Sequence, residues 1–193
     1  NLAYLENLPL VEVLEHKLGV AVILERDVNF TMAYDCRDLP KEAILCGFYF
    51  GTGIGNAIMI DGKILVGKNG TAGELGHIPV DGYEETCGCG KRGCAEQYGS
   101  ATGMARLARR AMERSQTPSP LRELDTVTAR DVFALGAGGD SLALKILEEY
   151  YDFMGRFLAS VCCVVDPEII VLGGGVSKAG QPLLEGVRKR FME

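Results

Sequence analysis

Apolar positions along this chain follow two periods, and the boundaries between them mark out the elements. Residues 8–18 (LPLVEVLEHKL) place Leu10, Val11, Leu14 and Leu18 on one face, with Pro9 near the start and Gly19 as a stop, which predicts a short amphipathic helix. The compact β-branched run GVAVILE (19–25) predicts a buried strand that delivers Glu25, Arg26 and Asp27 to its C-terminal end, and residues 28–38 read as a helix. ILCGFYF (44–50) predicts a second buried strand. It is followed by Gly51-Thr52-Gly53-Ile54-Gly55, a further strand NAIMI, the two-residue turn Asp61-Gly62 and the strand KILVG.

The second half turns helical. Ser100 or Thr102 can cap a helix running to about Arg114, with Met104, Leu107, Ala108 and Ala111 inward and Arg106, Arg109, Arg110 and Arg114 on a solvated face. SQTPSPLRELD (115–125) is rich in Pro and Ser and predicts a surface connection. Thr128 and Asp131 resemble a capping box for a helix to about Leu135, and Gly136, Gly138 and Gly139 break it. Asp140 then caps a long helix to about Val164, in which Leu144, Leu147, Tyr151, Met154, Leu158 and Val161 form a core stripe. Asp166-Pro167 ends it. A last buried strand, Ile169–Leu172, runs through Gly173, Gly174 and Gly175 towards a final helix from Lys178 onward.

Composition narrows the class. The 193 residues are 47% hydrophobic and 24% charged, ordinary for a globular protein with one sizeable core or two small ones. A formal charge of −6 argues against a general nucleic-acid surface, and no apolar run approaches the ~20 residues of a membrane span. Cys36, Cys46, Cys162 and Cys163 lie in apolar contexts and read as buried free thiols, which suits a reducing compartment; a cytoplasmic protein is expected. The chain opens at Asn1 in a helix-like stretch and closes at Glu193 in another, so it is expected to be part of a longer protein.

Three features carry chemistry. Between Gly73 and Ser100 lie His77, Cys87, Cys89 and Cys94, one imidazole and three thiols, a complete Cys₃His donor set for a structural zinc ion, with Gly88, Gly90 and Gly93 supplying backbone freedom around the thiols. Asp27 sits at a strand-to-helix junction, where open α/β sheets present functional groups; an N-capping role is equally open, and the two are compatible. The turns 51–55 and 173–175 can each bring backbone N–H groups close to a phosphate. The first, between strands, is neither a dinucleotide fingerprint nor a P-loop, and either could be an ordinary tight turn.

In this order the segments ERDVN (25–29), GTGIG (51–55), AGELGH (72–77), CGCGKRGCAE (87–96) and DPEIIVLGGGVS (166–177) resemble the ROK family of repressors, open reading frames and sugar kinases, across nearly the whole chain. The resemblance implies an α/β, actin-like or hexokinase-like (ribonuclease H-like) ATPase fold with a structural zinc-binding insertion. Residues 1–193 would be mostly the sugar- and zinc-binding α/β domain, without the N-terminal phosphate loop or the C-terminal end. It implies ATP-dependent phosphorylation of a hexose, with ATP, Mg²⁺ and a structural Zn²⁺. By resemblance, Asp27 is the catalytic base, and Glu74, His77 and Glu96 bind sugar. Gly51, Thr52 and Gly53 form a phosphate turn, Gly173, Gly174 and Gly175 the nucleotide turn, and His77, Cys87, Cys89 and Cys94 the zinc ligands. A homodimer is implied in the same way. Most family kinases carry Asn before the catalytic Asp; Arg26 stands there in a run that looks like the allose-kinase branch, and it either binds the sugar or turns outward. The alternative is a sugar-responsive repressor of the same family, whose DNA-binding domain would lie outside these residues.

Overall fold

Period-two alternation in β1 (Leu45–Phe50) sends Cys46, Phe48 and Phe50 to one side of the sheet and Leu45 and Tyr49 to the other, and the molecule is layered on that split. A computed structural model describes residues 7–80 and 82–193. β1 pairs antiparallel with β2 (Ile54–Ile60) across the glycine turn and parallel with β4 (Ile169–Gly174); β3 (Lys63–Ile64) closes the order β3-β2-β1-β4. Asp61 and Gly62 both take positive φ (49° and 71°), as the two-residue hairpin between β2 and β3 requires.

The Phe48 face carries the larger core. The helices α3 (Glu96–Gly99), α4 (Ala101–Arg114), α5 (Ala129–Ala137), α6 (Ser141–Val165) and α7 (Gln181–Met192) close over it, and Met104, Leu121, Leu142, Tyr150 and Phe153 are all but inaccessible. Their starts follow the capping chemistry of the sequence. Ser100 Oγ accepts from Gly103 N, Asp140 Oδ1 from Ala143 N, and Thr128 with Asp131 forms the reciprocal box. Tyr150, buried in α6, donates its hydroxyl to Gly99 O at 2.8 Å, so its polar end is satisfied within the apolar layer. The opposite face is covered by α2 (Asp27–Asp35), whose Val28 and Met32, together with Cys36, pack on Leu45, Ala57 and Met59.

Several expectations are corrected. Residues 19–25 form no strand: Val20, Ile23 and Leu24 are exposed, Ile23 to 82%. The run has the composition of a buried strand, but a strand exists only against a neighbouring ladder, and none lies beside it among the described residues. Helix α1 (Leu10–Leu18) forms, with Gly19 as its left-handed cap, yet buries none of its residues. Leu144 of the α6 stripe is 45% exposed, and Cys163 is exposed too. Arg106 and Arg110 are not simply solvated: Arg106 donates to Gln97 O of α3 at 2.7 Å, and Arg110 pairs with Glu85 in the segment that leads to the cysteines. A 3₁₀ turn (Val176–Ala179) occupies the place expected for the start of α7. The helix-like stretch at Asn1 lies outside the described residues. No helix among them is long and apolar enough to cross a membrane.

Candidate functional site

At the end of the sheet where β1 and β4 run out, a cleft of about 520 Å³ is lined by α2, by the turn between β1 and β2, and by Glu96 and Gly174. Helical spacing sets the α2 wall: Asp27, Thr31 and Asp35, at i, i+4 and i+8, face the cleft together. Asp27 is exposed and opens α2, at the positive end of the helix; its Oδ1 accepts from Val28 N at 2.7 Å. Arg26, not Asp27, is therefore the N-cap residue. Just upstream, Glu25 Oε1 accepts from Arg26 N and from Asn29 Nδ2, and these bonds hold its carboxyl below the usual range. Tyr49 forms the floor. Burial, with the Asp35 charge adding to it, keeps its phenol far above the ordinary value and so protonated.

The turn at 51–53 is wired to its surroundings through backbone. Gly51 O accepts from Ala101 N at 2.9 Å, the exposed Thr52 gives its carbonyl to Thr102 Oγ1 at 2.7 Å, and Gly51 N donates to Gly53 O. Glu96 reaches across to accept Ile54 N at 3.1 Å through Oε2, and any Cβ at Gly53 would collide with that same oxygen. The colliding atom is the tip of a movable side chain, so Gly53→Ala is expected to cost under about 1 kcal/mol in stability while displacing Glu96. Thermal melting of the variant reads that cost, and a loss above about 2 kcal/mol would show that Glu96 cannot move aside. Gly174 is constrained differently: φ is +82° and a Cβ would lie 2.6 Å from Phe50 N. The β4 strand can thus turn out of the sheet only because that position is glycine.

A second cavity of about 610 Å³ lies on the other side of the 173–175 turn, lined by Thr128, Arg130 and Phe133 of α5 and its cap, by Gly175, and by Lys178. The turn therefore forms a boundary shared by two cavities, with Gly174 on the first, Gly175 on the second and Gly173 beneath the Tyr49 ring.

The cysteine-rich loop is fastened to the large core by an aromatic trio, Tyr83, Tyr98 and Phe153, with centroids 4.3–5.4 Å apart, and by Tyr98 Oη accepting from Glu85 N. Within it the four donor atoms of His77, Cys87, Cys89 and Cys94 all lie within 4.8 Å of one another. Cys89 Sγ is 3.6 Å from Cys94 Sγ and Cys87 Sγ is 3.5 Å from His77 Nδ1. Tetrahedral zinc with Zn–S of about 2.3 Å implies S···S near ~3.8 Å, so the donor set fits the ion. Burial, with Cys89 and Cys87 adding to it, pushes the Cys94 thiol up to about 12, whereas the backbone N–H of Lys91 holds Cys89 below its ordinary value. Thiols this close resist joint ionisation unless a cation joins them. Gln97 Nε2 donates to Cys87 Sγ at 3.4 Å, and Cys87 Sγ lies 3.9 Å from Glu96 Oε1, which links the cluster to the cleft.

His77 is shared in direction. Its Nδ1 points to the thiols, and its Nε2 lies 3.9 Å from Glu74 Oε2. Arg26 does not turn outward: it donates to Ala72 O and Asn56 O and pairs with Glu74 Oε1 at 3.1 Å. Of the residues singled out from sequence, Asp27, Gly51, Gly53, Glu96 and Gly174 meet in one cleft, while Arg26, Glu74 and His77 form a connected line. Sequence reasoning did not find Thr31, Asp35 and Tyr49, although the four-residue spacing from Asp27 carried the signal for the first two. Nor did it find the α5 cavity, which no motif marks.

Comparison with known proteins identifies the family and the fold. A glucokinase of Halalkalibacterium halodurans is 38% identical over 192 residues, covering 95% of this chain and 57% of that protein. An N-acetylgalactosamine kinase of Shewanella is 36% identical over 184 residues, covering 85% and 56%. A crystal structure of a ROK family glucokinase from Streptomyces griseus, in complex with glucose and AMPPNP, superposes with a TM-score of 0.83 at 30% identity, covering 95% of this chain and 61% of that one. The chain thus spans under two thirds of the length of these relatives. With its mixed sheet and helical layers in the same α/β arrangement, and a family model matching residues 1–193, the chain belongs to the ROK family.

Proposed function

We propose that the protein is an ATP-dependent hexose kinase of the hexokinase-like type. Asp27 acts as general base, Glu74, His77 and Glu96 bind the sugar, and His77, Cys87, Cys89 and Cys94 hold a structural zinc. One observation carries the reading: a single cleft holds the Asp27 carboxylate, Glu96 and one residue or more of each glycine turn, and the 173–175 turn separates it from a second cavity. A sugar in the first space and a nucleotide base in the second would meet at that turn. Phosphoryl transfer asks the protein chiefly for placement and for fixed dipoles near developing charge, and glycine turns offer backbone N–H groups without a Cβ in the way. Bound ATP brings Mg²⁺, which neutralises phosphate charge. The zinc, with four protein ligands and no open position, orders the loop and does not activate water. A homodimer and a cytoplasmic location complete the reading by family likeness.

The relatives' names span glucose and N-acetylated hexosamines, so the substrate class is aldohexose in a broad sense. The test is a panel of allose, glucose, mannose, fructose and N-acetylated hexosamines given to the intact protein with ATP. At least one sugar should be phosphorylated with a clear preference over the rest. ATP turnover unaltered by every sugar would overturn the reading.

A further inference from the structure

We infer that Arg26 is a positioning residue that sets the Glu74 carboxylate for sugar binding; the inference rests on the hexose-kinase reading above and deepens it. Arg26 Nη1 donates to Ala72 O at 2.8 Å, Nη2 donates to Asn56 O at 2.9 Å, and Nη2 stands 3.1 Å from Glu74 Oε1. Only 23% of the side chain is exposed, against 44% for Glu74. The two carbonyls lie on the two backbones that meet where the loop 72–76 rests on β2. Asn56, buried in β2, holds the same loop from its other end, since its Oδ1 accepts from Gly76 N at 2.9 Å. Glu74 is therefore the exposed carboxylate on a loop pinned at both sides.

Chemistry explains the residue type. A guanidinium is a planar fork whose donors point in fixed directions, so one side chain can serve two carbonyls and a carboxylate at once; a lysine ammonium is a point charge on a flexible stem and cannot reproduce that set. With Glu74 Oε1 held by Arg26, Oε2 is the oxygen left beside His77 Nε2, at 3.9 Å. Arg26 also directly precedes Asp27, so one peptide unit joins the proposed base to the guanidinium that fixes the sugar-facing acid. Its donors are directed at protein oxygens, and it acts on the sugar through Glu74.

Calorimetric hexose binding and steady-state kinetics on the intact protein test this, with Arg26→Gln, Arg26→Lys, Glu74→Gln and the double variant Arg26→Gln/Glu74→Gln. Arg26→Gln should weaken hexose binding about 10- to 100-fold. That loss should appear in KM for sugar, with kcat changed by less than about fivefold because Asp27 remains. Arg26→Lys should recover less than half of the loss. In the Glu74→Gln background, adding Arg26→Gln should cost no more than about threefold further. Losses that multiply fully in the double variant would mean that Arg26 touches sugar itself and would overturn the positioning role, as would unchanged affinity in Arg26→Gln. Should Arg26→Gln not fold, Arg26→Lys carries the same comparison. A wild type that binds hexose without phosphorylating it overturns the kinase reading while leaving the Arg26 comparison readable from binding; a wild type that binds no hexose overturns both.

Discussion

Asp27→Asn should lower kcat for hexose phosphorylation about 10²- to 10⁴-fold, the usual range for removing a general base, with KM for sugar held within about threefold. The substitution isolates that role because the Asp27 carboxylate makes one defined local bond, from Val28 N at 2.7 Å to Oδ1, and an asparagine carbonyl can accept it in the same place. The start of α2 should therefore keep its geometry, and Val28 and Met32 should keep their packing on β1 and β2. What disappears is the negative charge and with it the capacity to take a proton. Asp35 lines the same cleft two helical turns away, so Asp35→Asn is the control that tells a base from a general effect of acidity: it should leave kcat within about tenfold. Equal losses in both variants would show that the cleft's net charge matters and that Asp27 has no special part. An undiminished kcat in Asp27→Asn would remove it from the mechanism altogether.

How much of this was legible in the sequence depended on whether a signal was local. Caps at Ser100, Thr128 and Asp140, the Asp61-Gly62 turn and the strand 45–50 were readable because a cap or a tight turn is decided by the few residues that make it. The Cys₃His cluster was readable because three thiols and an imidazole within 18 residues (77–94) have few other uses. Residues 19–25 misled for the converse reason: β-branched composition states a preference for burial, whereas a strand needs a partner that composition cannot supply. The direction of Arg26 was likewise beyond reach. Its acceptors, Ala72 O and Asn56 O, lie 46 and 30 residues away, and only the packing of the 72–76 loop on β2 brings them to one point. The α5 cavity was missed because it is a space between Thr128, Phe133 and the turn after β4, and spaces leave no motif. Local chemistry was legible and tertiary convergence was not, so the family resemblance, which carries convergence in its motifs, supplied the cleft.

Removing the proposed zinc should have the other large effect, and on a different observable. Purified, reduced protein should contain about one zinc per chain, and Cys94→Ser should release it, at a cost above the ~3 kcal/mol of most single substitutions, as loss of a metal site implies. Cys94 is the residue of choice because its side chain is fully buried, while its backbone bridge to Pro79 does not depend on the thiol and stays available to the variant. The aromatic trio of Tyr83, Tyr98 and Phe153 is independent of the thiols, so the damage should be confined to the loop and the large core should stay folded. Sugar binding should suffer along with stability, because the ring that turns Nδ1 to the thiols turns Nε2 to Glu74. Hexose affinity should thus fall at least about tenfold in Cys94→Ser, measured well below its melting temperature, and fall comparably when wild type is stripped with a chelator. Returning zinc should restore affinity to the stripped wild type but not to the variant. Loss of zinc with full hexose affinity would separate the two faces of His77 and leave the metal a purely structural part. An absence of zinc from freshly prepared, reduced wild type would remove the metal from the site entirely.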